Sequence, residues 1–342
     1  MAQSETVLVT GGSGFIGSWC VIELLRRGYT VRTTVRDLAR EAGVRASVAA
    51  LSQAGDALSF HAANLTSDAG WDEAVAGADY VLHVASPLGI AEPKDADELI
   101  VPARDGALRV IGAAVKAGVK RVVMTSSVAA SAPPHTARGE TVSDESVWSD
   151  GEDPAIGAYA RSKTIAEQEA WALIGSSGGA TTLATVNPAL VLGPVLDGDA
   201  SGSAQVVGRL LSGKVPGIPR LGFNIVDVRD VADLHIRCMT APEAAGQRFI
   251  AAGQFAWMGD IAAILRDHLG AQAAKVPTRK APDLLLRLVS LFDRDLTAVT
   301  PNLGRRRDFT SAKARAVLGW TPRPLEETVL DCARSLIAAG AV

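Results

Sequence analysis

Apolar residues recur along this chain with two periods, and the switches between them outline its elements. Thr6–Thr10 is a short β-branched run that stops at Gly11-Gly12, as a strand covered on both faces should. From Phe15 to Arg27 the spacing becomes helical: Ile16, Cys20, Leu24 and Leu25 share one side, and Gly28 is a stop signal. A second β-rich run, Thr30–Val35, follows at once, so strand, glycine turn, helix and strand make one βαβ unit. The alternation continues, with strands expected at Leu58–Ala62, Tyr80–Val84, Val122–Thr125 and Thr182–Val186. Helices are expected between them at Trp71–Ala76, Asp95–Ala117 and Tyr159–Leu173. This order predicts an α/β fold, a doubly wound parallel sheet with helices on both faces. After Asn187-Pro188 the texture changes. Residues 193–222 are rich in Gly, Pro and Ser and predict loops leading to a smaller C-terminal α/β lobe. Beyond them lie a helix near Met258–Leu269 and an amphipathic run at Asp283–Phe292. The expected division is residues 1–192 and 193–342, with the two lobes interleaving near 223–232.

Composition and charge remove several classes of function. The 342 residues carry 34 basic and 37 acidic side chains, a net charge of −3 that draws in neither nucleic acid nor an anionic membrane. The dense basic cluster Arg305-Arg306-Arg307 reads as a solvated helix start or a salt-bridged turn. No apolar run approaches the ~20 residues that a membrane span requires. Cys20, Cys238 and Cys332 are widely separated and no CxxC or Cys/His cluster occurs, so neither a disulfide framework nor a metal site is expected. That cysteine usage, with no secretion signal at the N-terminus, fits a cytoplasmic protein.

The first candidate chemistry lies in the turn after the first strand. Gly11, Gly14 and Gly17 stand at GxxGxxG spacing in Gly11-Gly12-Ser13-Gly14-Phe15-Ile16-Gly17, between a strand and a helix. Absent Cβ atoms let a pyrophosphate approach the backbone N–H groups of this turn, and the helix N-terminus adds partial positive charge. The last glycine lets the helix sit close to the sheet. In this βαβ setting the turn predicts a Rossmann-type dinucleotide site. An NAD site places an acid about 20 positions on, at the end of the second strand. Here Val35 stands in that place and Arg36 follows, and a guanidinium suits a 2′-phosphate. The expected cofactor is NADP(H).

Tyr159 and Lys163 form a YxxxK motif, which puts phenol and ammonium on one helix face a turn apart. With that motif the chain resembles the extended short-chain dehydrogenase/reductases. The branch it is similar to includes dihydroflavonol reductases, cinnamoyl-CoA reductases and microbial NADPH-dependent carbonyl reductases. The matching segments are TGGSGFIGS at 10–18, TVRD at 34–37, HVASP at 83–87, VVMTSS at 122–127 and DESVWSD at 144–150. Others are YARSKTIAEQEAW at 159–171, NPALVLGP at 187–194, VDVRDVA at 226–232 and LGWTPRPLEET at 318–328.

The resemblance implies a catalytic Ser127, Tyr159 and Lys163. Tyr159 would give a proton to the substrate oxygen as hydride reaches the carbonyl carbon. Lys163 would draw the phenol downward from about 10 toward the working pH and hold the nicotinamide ribose. Ser127 would meet the carbonyl oxygen where negative charge develops. It further implies that Ala85, Ser86 and Pro87 line the nicotinamide side, that Pro188 and Val191 pack beside the ring, and that Asn64-Leu65 lies near the adenine. Asn64 replaces the Asp that relatives commonly show. Asp144, Glu145 and Trp148 belong to a structural loop on this reading, and Asp227, Arg229 and Asp230 to a polar network between the lobes. His83 is expected to be satisfied by packing, and His135 to lie on a substrate loop.

The leading expectation is an NADPH-dependent reductase of an aldehyde or ketone, acting as a monomer or homodimer. The alternatives on the same fold are a nucleotide-sugar epimerase or dehydratase and a non-catalytic dinucleotide sensor. Val35-Arg36 disfavours the NAD that the former retain, and Val128-Ala129 after Ser127 offer no acid or base. The intact Tyr159/Lys163 pair argues against the sensor. Flavonoid-type relatives place Asn or Asp where this chain has Ala132, and cinnamoyl-CoA relatives carry an Asn-Trp-Tyr-Cys signature where it has Pro154-Ala-Ile-Gly-Ala158. Both departures make the pocket less polar, so the expected substrate bears an apolar or aromatic substituent. Its shape would be set by residues near 86–92, 130–138 and 193–225.

Overall fold

Strand β1 (Thr6–Thr10) has side chains that alternate across the sheet, and both faces are apolar. Val7 and Val9 enter one core with Val21, Leu24, Val231, Leu234 and Phe249. Leu8 enters another, with Val81, Val110, Ile111, Ala166 and Ala170. A strand buried on both faces must sit centrally in a parallel sheet covered by helices, and it does. The computed structural model of the chain describes residues 4–53, 55–87, 93–196, 202–289 and 300–342.

The remaining strands of this sheet are β2 (Thr30–Val35), β3 (Leu58–Ala62), β4 (Tyr80–His83), β5 (Arg121–Thr125), β7 (Thr182–Pro188) and β10 (Gln247–Ala251). Their spatial order is β10-β7-β5-β4-β1-β2-β3, and every neighbouring pair is parallel. Helices α1 (Phe15–Arg26) and α7 (Val228–Thr240) cover one face, while α4 (Asp97–Lys116) and α5 (Gly157–Ser176) cover the other. The chain runs outward from β1 to β3 and then crosses back to β4, so β1 and β4 flank the topological switch point. Ligands bind in the crevice outside the carboxyl ends of the strands at such a point.

A third core gathers Leu210, Ile225, Ile261, Leu265, Val329 and Leu336. It joins α6 (Gln205–Leu211), α8 (Met258–Leu269) and α11 (Leu325–Ala338) to a three-stranded sheet of β8 (Leu190–Leu192), β9 (Gly222–Asp227) and β11 (Phe255–Trp257). Phe15 packs against both this core and the first.

Several expectations shift. Helix α6 lies inside a stretch expected to be all loop, because the surrounding Gly and Pro masked a short apolar turn whose partners are remote in sequence. Beyond the interleaving expected near 223–232, α7 covers the large sheet and β10 is its edge strand. Arg305–Arg307 lead into β12 (Arg307–Phe309), which pairs with β6 (Thr141–Ser143), and Arg306 pairs with Asp308 at 3.2 Å. The parts of the expected substrate loops at 88–92 and 197–201, and the end of the 283–292 run, lie outside the described residues.

The glycine turn sets the spacing between helix and sheet. A Cβ on Gly17 would stand 2.2 Å from the Gly11 carbonyl oxygen, whereas one on Gly43, in α2 (Glu41–Ala49), would meet nothing within 4 Å. Gly17→Ala should therefore cost about 1–3 kcal/mol of stability through overpacking. Gly43→Ala should stabilise by roughly 0.5–1 kcal/mol through helix propensity. Urea unfolding of the two variants checks the opposite signs.

Candidate active site

At the start of α1 the cap residue is Gly14, which has no side chain to bond the first helical N–H groups. Among the described residues no acceptor meets the N–H of Phe15 or Ile16. Half-buried Ser13 lies on the same turn. These donors, with the helix dipole behind them, form an anion cradle. The cradle is narrower than the sequence implied, because the first two glycines spend their N–H groups on β2. Gly11 donates to Thr34 Oγ1 and Gly12 to Thr33 Oγ1, each at 3.1 Å, and Thr33 Oγ1 donates on to the Val9 carbonyl at 2.8 Å. Gly11 has φ +70°, and a Cβ there would press on Ala85 at 3.0 Å, so the turn and the β4 end touch across the switch point.

The end of β2 carries the second element of a dinucleotide site. Val35 is buried, with no acid in its place. Arg36 is exposed, and among the described residues it has neither an ion pair nor a side-chain hydrogen bond. Asp37 does not hold it; its carboxylate accepts from the Ala39 N–H at 2.9 Å and caps the next turn. A pyrophosphate at the α1 N-terminus and a 2′-phosphate at Arg36 fit these donors.

Thr10 fixes the opposite wall. Its Oγ1 accepts from the N–H of Val84 and Ala85, both at 3.0 Å, so its one proton goes to His83 Nδ1 at 2.9 Å. His83 then carries its ring proton on Nε2. Burial, with Lys163 nearby, pushes His83 down to about 3, so it stays neutral and packed as expected.

Ser127, Tyr159 and Lys163 come together at the carboxyl ends of β4 and β5. Helix α5 presents Tyr159 and Lys163 one turn apart, with Lys163 Nζ 5.9 Å from the Tyr159 ring centre. Lys163 is buried and donates to Ser86 Oγ at 2.9 Å. Ser127 follows β5 and caps a short turn, its Oγ accepting from the Ala129 N–H at 3.1 Å, which leaves the hydroxyl proton free to donate. Ser126 turns away and donates to Glu167 Oε2 at 2.5 Å.

One electrostatic expectation is overturned. Burial pushes the Tyr159 phenol up, and the hydrogen bond with Ser127 pulls it part of the way back. The ammonium of Lys163 is itself desolvated and donates to Ser86. Burial pushes Lys163 down to about 8, opposed by the charge of Glu167.

The other candidates are more dispersed. Pro188 ends β7 and Val191 lies on β8, both buried at the carboxyl side of the sheet. Pro87 is half-buried beside Ser86. Asn64 is exposed with its Oδ1 accepting from the Thr66 N–H at 3.2 Å, and Leu65 seats against Gly106 of α4. Ala132 donates its N–H to Ser149 Oγ at 2.9 Å. His135 is exposed, and its Nδ1 meets Asp153 Oδ2 at 2.5 Å. Glu145 Oε1 accepts from the Ile250 N–H at 2.8 Å, a structural contact. Arg229 pairs with Asp227 at 2.7 Å and Asp331 at 2.8 Å, linking α7 to α11.

Sequence reading missed two residues at the base of this site, Glu167 and Arg248. Glu167 had a local signal, four positions after Lys163 on the same helix. Arg248 had none, since its partner is 81 residues away.

A glycine cradle at a switch point, with Ser, Tyr and Lys at the same sheet edge, defines a dinucleotide-binding α/β protein with the site of the short-chain dehydrogenase/reductase class. The model of the NAD dependent epimerase/dehydratase family matches residues 7–252, and the chain belongs to that family. Cinnamoyl-CoA reductase 1 of Petunia hybrida is 36% identical over 265 residues, 77% of each chain. Dihydroflavonol 4-reductase of Zea mays is 34% identical, covering 78% of this chain and 75% of that one. Yeast methylglyoxal/isovaleraldehyde reductase Gre2, solved in complex with NADPH, is similar with a TM-score of 0.81 at 25% identity, covering 98% of this chain and 100% of that one. The resemblance to the extended reductases and the doubly wound fold both hold.

The Thr10 hydroxyl serves two N–H groups of the site wall. Thr10→Val, similar in shape but without an acceptor, should cost about 1–3 kcal/mol by leaving those donors unmet. Chemical denaturation of the variant against the parent protein measures this directly.

Proposed function

We propose that the protein is an NADPH-dependent carbonyl reductase that converts an aldehyde or ketone to an alcohol, with Tyr159 as proton donor. The observation that carries this reading is the convergence of Tyr159, Ser127 and Lys163 on the sheet edge that also holds the α1 cradle and the uncommitted Arg36. The named similarities to cinnamoyl-CoA, dihydroflavonol and methylglyoxal/isovaleraldehyde reductases support it.

On this reading the N–H groups of Phe15 and Ile16 hold the pyrophosphate and Arg36 holds the 2′-phosphate. Bound there, NADPH supplies the hydride. Ser127 donates its hydroxyl proton as a hydrogen bond to the carbonyl oxygen and steadies the charge that develops on it. Tyr159 Oη holds the proton that this oxygen takes. Its upward shift keeps the phenol protonated at neutral pH, and an alkoxide is the stronger base, so transfer runs downhill. Lys163 places positive charge beside the phenol and meets ribose hydroxyls. Val128-Ala129 beyond Ser127 supply no acid or base for sugar dehydration. Ala132 and the Pro154–Ala158 segment give the substrate side an apolar character, which favours carbonyls with apolar or aromatic substituents.

Two substitutions separate chemistry from cofactor choice. Tyr159→Phe should retain NADPH binding by fluorescence titration and lose about 10²–10⁴-fold in kcat; retained turnover removes Tyr159 from its role. Arg36→Ala should weaken NADPH binding by about 10–100-fold, the range of a charge-assisted contact, and leave NADH nearly unchanged. Equal loss for both cofactors would contradict the 2′-phosphate contact.

A further inference from the structure

Beneath the site lies a buried charge that the proposed reaction does not use. Glu167 is 0% exposed and sits one turn after Lys163 on α5. Its two oxygens receive a full set of donors. Oε2 accepts from Ser126 Oγ at 2.5 Å and Asn187 Nδ2 at 2.9 Å, and Oε1 accepts from Thr185 Oγ1 at 2.8 Å and Arg248 Nε at 2.7 Å. Four donors converge on its two oxygens, a set that matches the acceptors of a carboxylate. Arg248, itself 7% exposed, donates a second time to Glu167 through Nη2 at 3.3 Å and also reaches the loops beside Ser127. Nη1 reaches the carbonyls of Glu145 at 2.8 Å and Val147 at 3.0 Å, and Nη2 reaches Ser131 Oγ at 2.9 Å.

The network ends on the site at two points. Asn187 Nδ2 also donates to the Ser127 carbonyl at 3.1 Å, so the peptide that carries the serine hydroxyl is tethered through Asn187 to Glu167. The other point is Lys163, which is buried and donates to the Ser86 hydroxyl at 2.9 Å. A desolvated ammonium favours its neutral form unless an anion lies near. Around it stand Tyr159 and Glu167 on its own helix, neutral His83 on β4, and Arg248 on β10 beyond Glu167.

We propose that Glu167 is a positioning residue: held by Arg248, it fixes the Ser127 peptide and keeps Lys163 charged at working pH. This deepens the reductase reading and rests on it for the role of Lys163. A buried ion pair is weak evidence for stability, since apolar residues can replace one at no loss. Its place here, joined to the serine and beside the lysine, gives it another use. Burial already holds Lys163 at about 8, and among the described residues the carboxylate of Glu167 opposes the fall. Lysine is charged below its midpoint and neutral above it, so removing the carboxylate moves the loss of charge to lower pH.

The test follows Lys163 directly. With eight lysines in the chain, ¹³C-lysine labelling of the full-length protein resolves its titration by NMR, assigned through Lys163→Arg. Glu167→Gln should lower the Lys163 midpoint by about one unit, and the basic limb of the pH–rate profile with NADPH should move with it. Glu167→Gln/Arg248→Met, which also removes the neighbouring positive charge, should bring the midpoint part of the way back. Glu167→Asp keeps the charge and should keep the midpoint, with a lower kcat from the shortened tether. An unchanged midpoint in Glu167→Gln, or a shifted one in Glu167→Asp, overturns the proposal. If Glu167→Gln does not fold, the Asp variant and the double variant decide it: a parent midpoint in Glu167→Asp with a lowered one in Glu167→Gln/Arg248→Met supports a charge effect, and a lowered midpoint in Glu167→Asp or an unchanged one in the double variant refutes it. Failure of the reductase reading is distinguishable, because it shows as turnover retained in Tyr159→Phe while the Lys163 titration still responds to Glu167.

Discussion

All seven strands of the large sheet run the same way, so the residues that follow β1, β4, β5 and β7 emerge along one edge. That constraint gathers segments far apart in sequence: the glycine turn, Ala85–Pro87, Ser126-Ser127 and Pro188. Parallel strands need crossovers, and the crossovers here are helices that bring their own side chains to the same edge. Helix α1 offers its N-terminus and α5 offers Tyr159 and Lys163. The reversal of strand order between β1 and β4 opens the crevice at the middle of this edge.

Close approach at that crevice is possible only because particular side chains are missing. Gly17 lets α1 sit against the Gly11 carbonyl, and Gly11 lets the turn lie on Ala85. Two threonines on β2 then fix the turn by accepting the N–H groups of Gly11 and Gly12. Among the described residues the N–H groups of Phe15 and Ile16 are left without partners and form the anion cradle. Rigidity and open donors thus come from neighbouring residues of one loop.

The site floor is polar and buried, a costly combination unless every group is paired. Glu167 and Arg248 meet that demand together, and Thr185, Asn187 and Ser126 complete it. The arginine also stacks 3.5 Å above Trp148, so the 144–150 loop is fastened to the same pair. Desolvation at this floor is what pushes Tyr159 up and Lys163 down.

The sequence by itself determined the βαβ order, the glycine turn, the Val35-Arg36 strand end and the Tyr159/Lys163 spacing, since each depends on period or residue type within a few positions. The six principal strands fell where the apolar runs put them, β7 extending two residues beyond its expected end. The short elements of the second lobe, such as α6, were not legible because packing against remote partners, not local pattern, stabilises them. Tertiary structure alone decided that β10 closes the edge of the large sheet and brings Arg248 to Glu167. It also decided that His135 engages Asp153, that Lys163 faces Ser86, and that burial raises the Tyr159 phenol. These outcomes depend on burial and on partners up to 81 residues apart, and desolvation is a property of the assembled surroundings that no local spacing encodes.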